Sequence, residues 1–221
     1  MAVTGLALFA FVVGHLVGNL QIFLGPEDIN RYGNFLHTNL EIIWPARIGL
    51  IIMVFLHIWA AAKLTAENRA ARPHPYAQQE LVAASYASRT MMWSGLIIAA
   101  FVGYHLLHFT VQTQAINFTG KNFEDLRDSL GQHDVYAMVV LGFQNKLVAG
   151  FYVFAMFLLC THLGHGLSAM FQSLGWKSPA YAGCIDCGAR AVSWLIFAGY
   201  ASIPIAIQLG LGESYLKGIQ I

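Results

Sequence analysis

His15, His57, His105 and His162 each fall in a different long apolar stretch of this 221-residue chain. An ionisable side chain at membrane depth is costly and by default marks a functional site. A lone buried histidine is satisfied by a hydrogen bond across helices, but four of them in a regular arrangement ask for more. At a rise of about 1.5 Å per residue, His15 and His105 lie roughly 3 to 6 Å beyond the midpoints of their stretches, and His57 and His162 roughly 3 to 8 Å beyond theirs. Successive spanning helices run in opposite directions, so the first and third histidines share one level and the second and fourth share another. Two imidazoles per level, from facing helices, form the ligand set of a haem iron with both axial positions filled. Such an iron has no open position for dioxygen, so the chemistry is electron transfer. Two haems at different depths make an electron path across the bilayer.

Two neighbours leave the ligand choice open, because His108 and His165 lie one helical turn beyond His105 and His162 on the same faces. His105 and His162 are the deeper choice and match their partners in depth. His108 and His165 then lie nearer the surface, where they contact haem propionates or water. His37, His74 and His133 fall in polar linkers. Gly14, Gly18, Gly49, Gly103, Gly164 and Gly166 flank the deep histidines. Small residues there admit a flat macrocycle, although Gly14 and Gly18 also have the spacing of a helix-packing motif.

The elements that must position these histidines follow from composition. With 57% hydrophobic and only 10% charged residues, the chain is far from the quarter or so of charged residues in soluble domains. A hydrocarbon core about 30 Å thick needs about 20 apolar residues per helix. Five segments qualify, near 3–23, 44–65, 90–112, 144–170 and 191–211. The expectation is an all-α, polytopic membrane bundle of five transmembrane helices, one domain over 1–221, with two haem b groups between the first four. Residues 134–143 could extend the fourth helix. The linkers carry turn signals in Gly25-Pro26-Glu27-Asp28, Arg72-Pro73-His74-Pro75, 117–134 and Ser178-Pro179. Met1 lacks the basic region and cleavage site of a signal peptide, so the first helix is retained; its abrupt start reads as an internal methionine of a longer chain.

A net charge of +1 without a basic run argues against nucleic acid as a partner. Cys160, Cys184 and Cys187 make no disulfide framework. Cys184 and Cys187 form a lone CxxC in an expected loop, too few thiolates for a structural metal site. Trp44, Trp59, Trp93, Trp176 and Trp194 suit interfacial anchoring. Lys63, Arg69, Arg72, Arg89, Lys177 and Arg190 balance Arg31, Arg47, Lys121, Arg127, Lys146 and Lys217 across the membrane. Counting Arg47 and Lys146 as helix-end anchors favours a cytoplasmic N-terminus.

The stretches Gly14-His15-Leu16-Val17-Gly18-Asn19-Leu20, Phe55-Leu56-His57, Phe101-Val102-Gly103-Tyr104-His105 and Thr161-His162-Leu163-Gly164-His165-Gly166-Leu167 resemble the cytochrome b558-type, single-chain, two-haem membrane anchor of succinate:quinone oxidoreductases. The resemblance spans essentially the whole chain. It implies that His15 and His105 hold the distal haem, and that His57 and His162 hold the proximal haem beside an iron–sulfur subunit. It further implies a flavoprotein subunit that carries out succinate oxidation or fumarate reduction, a menaquinone or ubiquinone substrate, and residence in the bacterial cytoplasmic membrane. Some relatives carry a proton-transferring glutamate two residues before the fourth ligand, where this chain has Cys160. An acidic residue on the outer side serves the family's quinone site, and Glu41, ahead of Glu27 and Asp28, is the residue here; His37 and His133 face the same side. Outside this resemblance stand a cytochrome b anchor for a hydrogenase or formate dehydrogenase, a haem or metal transporter, and a purely structural anchor.

Overall fold

The computed structural model describes residues 1–71 and 86–219. Its described residues form helices joined by turns and loops, with no strand and a single isolated β-bridge between Arg127 and His133. Five helical stretches are long and apolar enough to cross a membrane: Ala2–Phe23, Leu40–Ala70, Thr90–Thr110, Lys146–Ser173 and Ala182–Gln208. The elements are α1 (Ala2–Leu20, ending in a 3-10 turn over Gln21–Phe23), α2 (Pro26–Thr38), α3 (Leu40–Ala70), α4 (Tyr86–His105), α5 (Gln114–Asn117), α6 (Val135–Gln144), α7 (Lys146–Ser173), α8 (Ala182–Gln208) and α9 (Glu213–Gly218). A wider π-helical turn, Leu106–Thr110, continues α4. In the bundle α7 packs on α1, α4 and α8, while α1 also packs on α3 and α8. The linker Arg72-Pro73-His74-Pro75, and His74 with it, lies outside the described residues.

Three boundaries differ from the hydropathy reading. Residues 26–38 are a helix: Pro26 sits in the first turn with Glu27 and Asp28, where a missing N–H costs nothing and acidic groups meet the positive end of the helix dipole. Residues 134–143 do not extend the fourth spanning helix. They form α6, separated from α7 at Asn145, whose extended backbone breaks the helix while its side-chain oxygen accepts from the N–H groups of Leu147 and Val148. Every residue from Tyr136 to Phe143 is buried, so α6 belongs to the core. The last spanning helix begins at Ala182, which puts Cys184 and Cys187 on a helix, both exposed. The sequence there is polar enough to end a hydropathy window, yet Asp186 is satisfied by Ser168 and by Lys177, whose Nζ lies 2.6 Å away.

One end of the bundle is therefore capped. The main apolar core gathers there, with Phe101, Phe123, Val140, Phe143, Tyr152 and Ile203 among its members. The cap is pinned by a buried polar network. Asn30 of α2 donates to Asp134 Oδ1 at 3.0 Å and accepts from the Tyr136 N–H at 2.8 Å. The same Asp134 oxygen caps α6 by accepting from Ala137 N–H, and Tyr215 of α9 donates to Asp134 Oδ2 at 2.8 Å. Burial, followed by its bond to Asp134, pushes the Tyr215 hydroxyl well above the ordinary phenol value, so this hydroxyl stays a donor.

Candidate functional site

The structure brings the four deep histidines together as two pairs. His15 of α1 and His105 at the end of α4 face each other with ring centroids 5.8 Å apart. His57 of α3 and His162 of α7 do so at 6.5 Å. Two imidazoles gripping one metal from opposite sides, each through a bond of about 2 Å, put their centroids about 6 Å apart. Both pairs match that span. Among the described residues no group of three or more His, Cys, Asp or Glu could hold a metal ion. A pair alone leaves a bare transition ion under-coordinated, whereas an iron that arrives with four macrocyclic nitrogens needs only two more ligands.

The hydrogen bonds select the tautomer of the second pair. Thr4 Oγ1 lies 3.0 Å from His57 Nδ1 and already donates its proton to the Met1 carbonyl. The imidazole must therefore donate through Nδ1, which leaves the lone pair on Nε2. His162 repeats this arrangement: Ser94 Oγ, donating to the Met91 carbonyl at 3.1 Å, stands 3.2 Å from His162 Nδ1. Each hydroxyl is followed by a glycine that gives the ring room. A Cβ on Gly5 would stand 3.5 Å from His57 Cε1, and one on Gly95 would stand 3.4 Å from His162 Cε1.

At the other level Phe11 stacks on His15 and Phe101 on His105, each ring one turn before its histidine. Tyr152 of α7 stands 3.4 Å from His105 Nδ1 and 3.0 Å from His108 Nδ1. A single hydroxyl proton lets Tyr152 donate to one of these rings and accept from the other; where it accepts from His105 and donates to His108, His105 too keeps its Nε2 lone pair. Thr4-Gly5, Phe11 and His15 on α1 thus recur at identical spacing as Ser94-Gly95, Phe101 and His105 on α4. Each of these helices contributes a ring to one level and a hydroxyl with its glycine to the other. The repeat is visible in the sequence once the eyes move from the histidines to the residues ten and eleven positions before them.

His108 is not near the surface. It is fully buried, its ring packs on Phe109 at 4.0 Å and near Phe123 at 5.8 Å, and its Nε2 has no hydrogen-bond partner among the described residues. Moving outward along α4 does not lead to water, because α6 and the 118–125 segment cover that end. His165 is half-buried within electrostatic reach of Lys177 and Asp186. Of the flanking glycines, Gly14, Gly49 and Gly103 have nothing within 4 Å of an added Cβ, whereas Gly18 meets the Tyr32 ring at 2.8 Å and is a packing position. Glu41 lies exposed in the first turn of α3 and makes no hydrogen bond or ion pair among the described residues. Cys160, two residues before His162, is buried.

No protein-family model, curated protein or solved structure matches this chain.

Proposed function

We propose that this chain is the di-haem cytochrome b membrane subunit of a succinate:quinone oxidoreductase, anchoring flavoprotein and iron–sulfur subunits and passing electrons between the iron–sulfur subunit and a membrane quinone. The observation that carries the haem assignment is the two facing histidine pairs, 5.8 and 6.5 Å apart, with no third His, Cys, Asp or Glu to complete a metal-binding group at either among the described residues. The oxidoreductase class rests on the resemblance of the four histidine motifs.

In this reading His15 and His105 hold one haem b, and His57 and His162 hold the other. Bound haem b supplies reversible one-electron transfer. Thr4 and Ser94 fix the Nδ1–H of the second pair, Tyr152 fixes that of His105, and Phe11 and Phe101 exclude water from the first pair. Glu41, at the corner between α2 and α3, stands at the same end of the bundle as the His15 level and suits a quinone site there.

A reduced-minus-oxidised spectrum with a pyridine haemochrome assay on the purified chain tests the proposal: about two haems b per chain are expected for two bis-imidazole sites, and absence of haem would sink it. Co-purification with a flavoprotein and an iron–sulfur protein, rather than a hydrogenase or formate dehydrogenase, tests the choice of complex.

The hydroxyl partners act level by level. Ser94→Ala is expected to weaken retention of the His57/His162 haem about 10- to 100-fold and leave the other unchanged, while Tyr152→Phe does the reverse. Haem retention under detergent dilution, followed at each spectral component, measures this.

A further inference from the structure

A third pair of histidines meets outside the bundle interior. His37, in the last turn of α2, and His133, immediately before the Asp134 cap of α6, face each other with ring centroids 5.8 Å apart. His37 is exposed and His133 half-buried. His133 is the fixed member: its backbone bridges to Arg127, and its Nε2 lies 3.1 Å from the Gln112 side-chain amide nitrogen. The amide nitrogen of Gln112 can only donate, so His133 Nε2 accepts and carries the lone pair.

Gln112 adds a second, independent observation. It is a non-glycine residue at φ +58°, in the left-handed region that side chains rarely adopt and that clusters at functional sites. That backbone directs its carboxamide to His133 Nε2 and to the Met138 thioether, 3.3 Å away.

We propose that His37, His133 and the carboxamide oxygen of Gln112 bind one divalent transition-metal ion of the imidazole-preferring class, Zn2+, Ni2+ or Cu2+. Both oxygens of Asp134 are committed to Asn30, Ala137 and Tyr215, so no carboxylate is offered and Ca2+ or Mg2+ is not the ligand. The amide of Gln112 turns to present its oxygen, and water completes the shell. Two imidazoles and one neutral oxygen make an open, exchangeable site. Because its ligands come from the end of α2, the end of the π turn and the start of α6, the bound ion clamps the cap and adds to its stability by mass action.

The test uses the whole chain in detergent, stripped with a chelator and titrated with ZnCl2 and with CuCl2. One ion per chain is expected in the micromolar range, with a raised unfolding temperature and Cu2+ electron paramagnetic resonance showing two imidazole nitrogens. His37→Ala and His133→Ala should each weaken binding about tenfold or more and remove one nitrogen, while a Cys184→Ser/Cys187→Ser variant binds normally. Unchanged affinity in His37→Ala, an exposed substitution that leaves the fold intact, overturns the proposal; so does binding lost only with the cysteines, or no binding below millimolar. The site does not depend on the haem reading, and haem content should be unaltered in His37→Ala.

Discussion

His15→Ala and His105→Ala are each expected to lower the haem content from about two per chain to about one, and both should remove the same spectral component. His57→Ala and His162→Ala should remove the other. The two rings of each pair come from different helices and face each other at 5.8 and 6.5 Å, so in the proposed di-haem reading either truncation removes one of the two imidazoles that would hold the group. Ligands that act as a unit are non-additive, and the double variant His15→Ala/His105→Ala should lose no more haem than either single one. His108→Ala is the discriminating control. Its ring is turned to Tyr152, 3.0 Å away, so the count stays at about two and only the His15/His105 component becomes easier to remove. Loss of one shared component by His15→Ala and His57→Ala overturns the pairing, and loss of a haem by His108→Ala overturns the choice of His105.

Depth along an apolar helix was enough to put His15 level with His105 and His57 level with His162, because 1.5 Å per residue and alternating direction leave little freedom in a bundle. The same arithmetic failed for His108. Depth measures distance along one helix, whereas burial depends on what else folds over its end, and α6 with Phe123 covers it. That cover was illegible from hydropathy: α6 is apolar but, at Val135–Gln144, too short to span, and only the Asn145 cap separates it from α7. The α2 helix was legible in principle, since Pro26-Glu27-Asp28 is a helix-start signal, but a search for spanning segments passes over a helix whose apolar face is narrow. The hydroxyls of Thr4 and Ser94 were missed for a different reason. In an apolar run a lone serine or threonine ordinarily bonds back to its own helix, as both do here; only the neighbouring helix shows that each also receives an imidazole.

Asp134→Ala is expected to destabilise the capped end by about 3 to 5 kcal/mol, since three buried donors, one of them the Ala137 N–H that Asp134 caps, lose their acceptor at about 1 to 3 kcal/mol each with partial relaxation. Asp134 is fully buried and makes no salt bridge among the described residues. Its oxygens are satisfied instead by the Asn30 amide, the Ala137 N–H at the positive end of α6, and the Tyr215 hydroxyl. Removing the carboxylate therefore strands donors on α2, α6 and α9 together. Asp134→Asn separates the contributions: its amide oxygen still serves Asn30 and caps α6, while its nitrogen replaces the oxygen that Tyr215 used. A loss of only about 1 to 2 kcal/mol is expected there, the cost of one disturbed buried bond. Thermal unfolding in detergent, with proteolysis in the 118–134 segment as the local readout, should rank wild type above Asp134→Asn above Asp134→Ala. Equal stability of all three would mean that the cap is held by apolar contacts alone. Because α6 packs over His108 and, through Tyr152, behind His105, the alanine variant should also loosen the His15/His105 haem while leaving the His57/His162 haem in place. A capped end that melts without touching either haem would show that α6 and the candidate site are energetically independent.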